Sequence, residues 1–231
     1  MTSIKIMFFI EKHYFNIENS RLDPFERIKN EICICNKIYE KADIKFCYDI
    51  KIISTKYIRD KGEFFFFNKK LPEKFFFPIV KEYQLSEAAY NLFFCRDNEL
   101  YRNYMIRVYC FYKYHNKEGD KMDQRGGCIP SKLTKLTQLK NLILLGNNRS
   151  DYTLAHELSH ILLNDVHDER YFVPENNIFK SPVNCNTTHI FGEDYEKYVK
   201  QYSALQLHRA CKINQIKIMK ENAAKLISGL L

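Results

Sequence analysis

The sequence predicts an α+β fold: a small mixed, twisted sheet, one helix carrying a compact cluster of polar side chains, and a mostly helical C-terminal part. Three observations carry that expectation. The first 54 residues alternate strand, helix and strand signals. Two further β-rich stretches, 104–114 and 139–145, precede a helical pattern that begins at Asp151. From about Glu193 to Ile227 the apolar residues return at helical spacing, in one helix or in two that meet near Asn214.

Taken in order, residues 4–10 (IKIMFFI) read as a strand. Asp23-Pro24 opens a helix, with Asp at the cap and Pro at the first helical position. Ile28, Ile32, Cys35, Ile38 and Tyr39 then mark its buried stripe to about Lys41. In 43–54 the alternation of Ile44, Phe46, Tyr48 and Ile50 predicts a second strand. Pro72 and Pro78 interrupt the segment that holds two phenylalanine runs, 64–67 and 75–77, read as local core or groove wall rather than a membrane-docking surface. The stretch LSEAAYNLFF (85–94) is helical, with Ser86 as its cap. Residues 104–114 are a single strand, followed by a polar loop containing Gly119, Gly126 and Gly127. LKNLILL (139–145) is a strand closed by Gly146. Residues 165–192, with Pro174 and Pro182, form an irregular loop.

At 231 residues the chain fits one domain, divisible into 1–163 and 164–231. An apolar content of 45% excludes a disordered chain, and no apolar run reaches the 18 or so residues of a membrane-spanning helix. The net charge of +8 fits an acidic partner or nucleic acid, but no nucleic-acid-binding motif stands behind it and a solvated lysine-rich surface is the plainer reading. Eight cysteines without a CxxC pair, most of them in apolar stretches, read as buried thiols with no disulfide network. With no secretory leader in MTSIKIMFFIEKHYF, the expected location is a cytosol, that of its own cell or of one into which it is delivered.

The chemistry lies in His156-Glu157-Leu158-Ser159-His160. Histidines four apart on a helix sit about 40° apart around the axis and one turn along it, so both imidazoles can reach one zinc ion. Glu157 projects beside that ion and is placed to accept a proton from the attacking water. Asp151 is available as the helix cap, and Leu154, Leu158, Ile161 and Leu162 form its buried face. His167 follows His160 by seven residues. For its side chain to swing back, the helix must stop between them, and Asn164 is a residue that accepts the left-handed conformation that ends helices. HELSHILLNDVH therefore reads as two helical ligands, a stop, and a third ligand from the loop.

In this stretch the chain resembles the metzincin zinc proteases, whose motif HExxHxxGxxH is followed by a turn containing Met beneath the metal. Here the third His is one residue further along and Leu163-Asn164 stand where Gly is expected. VPENNIF (173–179) resembles the Asn-Leu-Met turn of related bacterial proteins, with Phe179 at the Met position as an apolar floor. The resemblance implies a zincin-like fold, a Zn2+ cofactor held by His156, His160 and His167, and a zinc-dependent endopeptidase acting on a protein or peptide with Glu157 as general base. It also implies that the 104–114 strand is the edge that pairs with extended substrate. Other third ligands remain open: Glu193 or Glu196, as in gluzincins, and Asp165 or Asp168. Tyr171 and Tyr195 are candidates for steadying the oxyanion, and Cys128 could cap the metal as a thiolate or be a plain core cysteine. The alternative function is a retired zincin-fold binding protein, or a DNA-directed protease, that uses the basic surface. An intact Glu157 separates these, because a retired site has no chemical need of it.

Overall fold

The computed structural model describes residues 1–15, 23–54, 63–67, 85–94, 104–117, 123–165 and 215–231. Strand β1 (Thr2–Glu11) leads through helix α1 (Pro24–Tyr39) to β2 (Ile44–Ile53). Then come β3 (Glu63–Phe67), α2 (Glu87–Phe94), β4 (Ile106–Cys110), β5 (Lys113–Lys117), β6 (Gly126–Ile129) and β7 (Leu142–Leu145). Helix α3 (Thr153–Leu163) and helix α4 (Gln215–Ile227) complete the described elements. The class is mixed α/β with a mostly parallel sheet.

Among the described residues five strands form that sheet, in the order β2-β1-β4-β7-β6. All neighbours are parallel except β6, which runs antiparallel to β7 with Gly126 opposite Leu145 and Cys128 opposite Ile143. A parallel strand covered on both faces needs a continuous apolar run rather than an alternating one. IKIMFFI in β1 and LILL in β7 are such runs. Side chains alternate across a strand, and here the alternation divides the core in two. Ile4, Ile6, Phe8 and Ile10 pack with α1, α3 and α4. Met7 and Phe9 face the other way, into an aromatic cluster with Phe64, Phe93, Tyr109 and Phe111.

Several sequence expectations hold. Asp23 caps α1, its carboxylate accepting from Phe25 N at 2.9 Å, and the five stripe residues of α1 are buried. Ser86 caps α2, its Oγ accepting from Ala89 N at 3.1 Å. Phe64 and Phe66 are core residues, as read; the second phenylalanine run lies outside the described residues. Among the described residues five cysteines are free thiols: Cys35 and Cys110 are buried, Cys128 is half-buried, and Cys33 and Cys47 are exposed, against the expectation for those last two. Among the described residues, no helix is long and apolar enough to cross a membrane.

Three expectations are corrected. The 104–114 stretch is not one strand: β4 ends at Cys110 and β5 begins at Lys113 in a separate two-stranded parallel sheet with β3. Nor is it an edge, since β4 lies in the middle of the larger sheet, hydrogen-bonded to β1 and β7. Its five residues are all buried, which suits a central strand. The supposed polar loop at 126–127 is instead the start of β6, which ends the order of the sheet. Apart from α4, the helical C-terminal stretch and the loop before it lie outside the described residues.

Gly146 closes β7 under close constraint. A Cβ there would stand 2.2 Å from the backbone oxygen of Gln124, an atom that cannot swing aside. Gly146→Ala should therefore cost about 2–3 kcal/mol as overpacking. The thermal midpoint should fall by roughly 4–12 °C. An unchanged melting curve would show that the strand pair accommodates the methyl.

Candidate metal centre

Helix α3 is buried at all eleven positions, so its apolar face and its polar motif are both enclosed. Its start differs from expectation. The helix begins two residues after Asp151, which is exposed; Tyr152 occupies the cap without a side-chain bond, and Ser150 N donates to Thr153 Oγ1 at 3.0 Å. The end is as predicted. Asn164 is left-handed at φ 51° and ψ 43°, and its Oδ1 accepts from Ser131 Oγ and Lys132 N. Two neighbours clamp the helix through its own carbonyls: Tyr39 donates to Ala155 O at 2.6 Å and Asn222 to Leu162 O at 2.8 Å.

The loop entering α3 is held by a buried ionic cluster. Glu31, fully buried on α1, accepts from Arg149 Nε at 2.7 Å and Nη2 at 3.1 Å. Arg27 lies 3.5 Å from the same carboxylate and donates to Arg149 O and to Asn147. Two guanidiniums thus share one carboxylate, which fastens α1 to the β7–α3 connection.

Within α3 the two histidines converge. Their Nε2 atoms are 3.1 Å apart, with the rings edge to face at 85°. His160 Nδ1 lies 2.9 Å from the backbone oxygen of Asp165. A carbonyl only accepts, so Nδ1 carries a proton, and in the neutral ring Nε2 presents its lone pair toward His156. An orienting bond of this kind is typical of a metal-binding imidazole. Two nitrogens bound to one tetrahedral zinc at about 2.0–2.1 Å lie roughly 3.3 Å apart. The pair therefore fits a shared divalent ion, and burial of both rings at 7% and 5% exposure removes water as the competing partner.

Glu157 is enclosed as well. Burial pushes its carboxyl pKa up to about 7, with a hydrogen bond from Cys128 acting in the opposite direction. Burial and the nearby Glu157 carboxylate raise the Cys128 thiol well above its usual range. Residues two apart on a strand share a face. Gly126 and Cys128 face α3, whereas Gly127 lies against the hydroxyl of Tyr114. Cys128, weighed above as a metal cap or a core thiol, is thus a neighbour of the carboxylate.

Among the described residues no three His, Cys, Asp or Glu side chains gather into a group that could hold a metal ion, so His156 and His160 stand there as a pair. The carboxylate of Asp165 pairs with Lys132, and its backbone carbonyl is what serves His160. His167, Asp168, Tyr171, Phe179, Glu193, Tyr195 and Glu196 lie outside the described residues. Sequence reasoning missed the part β6 plays here. A Gly pair beside CysIle was the available signal, since glycine within a strand marks close approach of another element.

No family model matches the sequence, and no curated protein matches it. Among solved structures, a chain from a chaperone–substrate complex matches 98% of this chain and 35% of its own length, at 12% identity and a TM-score of 0.56. That likeness is one of fold. Metalloproteinase-II from Bacteroides fragilis matches over 96% of this chain and 53% of its own, at 12% identity and a TM-score of 0.48. The chain thus spans about a third of the first and half of the second.

Proposed function

We propose that the chain is a zinc-dependent endopeptidase of the metzincin type, with residues 1–231 as one catalytic domain. The observation that carries this reading is the 3.1 Å convergence of His156 and His160 on one turn of a buried helix, with a carboxylate between them in sequence. His156 and His160 would hold the ion, and His167 is our choice for the third ligand over Glu193 or Glu196. Zinc, when bound, polarises a scissile carbonyl and acidifies the attacking water. Glu157 takes the proton from that water and passes it to the leaving amine. A carboxyl with its pKa near 7 is matched to exchanging protons near neutrality. Burial of Glu157 at 7% exposure shields its carboxyl from bulk water.

The outer edge of β6 supports a role for an extended peptide. Among the described residues it ends the sheet, runs antiparallel to β7, and lies against the helix face that bears Glu157. A peptide that adds there by backbone hydrogen bonds would bring its carbonyl to the carboxylate. The intact Glu157 favours this reading over a retired binding protein.

Purified protein should contain one zinc per chain by elemental analysis and should cleave denatured casein. Chelation should stop cleavage, and added zinc should restore it. His156→Ala and His160→Ala should each lose the metal and the activity together. Absence of zinc, or cleavage that survives loss of both histidines, would overturn the assignment.

A further inference from the structure

We infer that Gly126 is a positioning residue for Glu157: its missing side chain is what lets the carboxylate lie against the edge strand. The inference rests on the peptidase reading and deepens it. Thr153 and Glu157 are four apart and share a face of α3. That face meets the Gly126–Cys128 face of β6. A Cβ at Gly126 would stand 2.8 Å from Thr153 Cγ2, 3.1 Å from Glu157 Oε1 and 3.2 Å from Leu145 Cδ2. All three approaches are closer than ordinary contact, and they converge on one point. The glycine is therefore there to make room, and the group it admits nearest the chemistry is the carboxylate oxygen.

The three neighbours differ in what they can yield. Thr153 is β-branched and stiff at its first torsion, and its Oγ1 accepts from Ser150 N at the start of the helix. Leu145 belongs to the paired strand β7. Glu157 has the longest side chain of the three, so a methyl at 126 displaces the carboxylate before it displaces the others. A misplacement of about 1 Å at a catalytic group can cost about 10²-fold in rate. A shift of a few tenths of an ångström at Oε1 is therefore expected to cost up to about tenfold, in turnover rather than in substrate affinity. Cys128, two residues along the same face, is hydrogen-bonded to the same carboxylate.

The test separates positioning from packing by removing the atom that causes the worst clash. Thr153→Ser deletes Cγ2 and keeps the hydroxyl. Gly126→Ala should lower kcat about tenfold with KM within about twofold, and zinc content should stay at one per chain. Its thermal midpoint should also fall. In Gly126→Ala with Thr153→Ser the midpoint should return toward that of wild type while kcat stays low. A crystal structure of this double variant should show the Glu157 carboxylate moved away from residue 126. Thr153→Ser alone should behave as wild type. Recovery of kcat together with the midpoint, or an unmoved carboxylate, would reduce Gly126 to a packing residue and overturn the inference. Failure of the peptidase reading looks different, because wild-type protein would then lack zinc or cleavage. In that event the position of the carboxylate in the variant still decides the structural claim. Should Gly126→Ala alone fail to fold, the double variant carries the comparison.

Discussion

Glu157→Gln should reduce peptide hydrolysis by about 10²–10⁴-fold, the usual contribution of a positioned general base. Zinc content and the thermal midpoint should stay close to those of wild type. The amide keeps the shape of the carboxylic acid and can still accept from the Cys128 thiol, but it cannot take a proton. Stability should not suffer, because the native environment already disfavours the charge that the substitution removes: burial raises the carboxyl pKa to about 7. Activity is measured on a denatured protein, metal by elemental analysis, and fold by thermal denaturation. Cleavage at the wild-type rate would remove Glu157 from the mechanism. Loss of zinc along with activity would move Glu157 from the proton-transfer role to the coordination sphere.

The largest effect on stability is expected at the entrance to the same helix. Glu31→Ala should destabilise the fold by about 3–5 kcal/mol, because it leaves guanidiniums buried without their counter-charge. Arg149 is 1% exposed at its side chain and has Glu31 at 2.7 Å. Arg27 is the second cation on the same carboxylate. The corresponding fall in thermal midpoint is roughly 6–20 °C. A domain of ordinary stability, about 5–15 kcal/mol, loses a large share of its margin at that cost. Because Arg149 carries the connection into α3, loosening it should also weaken metal retention. Glu31→Gln, which keeps the shape and loses only the charge, should fall between wild type and Glu31→Ala. A loss under about 1 kcal/mol for Glu31→Ala would mean that the cluster behaves as a solvated surface pair.

Local signals were legible where the chain interacts with itself over a few residues. Asp23 before Pro24, the stripe from Ile28 to Tyr39, Ser86 before α2, and Asn164 after the histidine helix each act within one or two turns. Asp151 failed as a cap because it lies in a turn that runs through Tyr152, with Ser150 N donating to Thr153 Oγ1 at the first helical residue. The break at Phe111 and Tyr112 was hidden, since an aromatic run has high strand propensity whether it serves one sheet or two. β6 was hidden for the opposite reason. Gly126 and Gly127 have low strand propensity, and they form a strand because the paired strand β7 and the adjacent helix demand it.

By itself the sequence determined that His156 and His160 sit on one helical face, that Glu157 stands beside them, and that the helix stops at Asn164. These follow from a 3.6-residue period and from the conformations open to Asn, and they need no distant partner. Tertiary structure alone decided which strand became the edge, that Gly126 and Cys128 lie against Glu157, and that Glu31 neutralises Arg149, 118 residues away. Those facts depend on strand order and on close approach between elements, which side-chain periodicity along the chain does not encode. The burial that raises the Glu157 pKa to about 7 belongs to the same category, since it is imposed by every element packed around the helix.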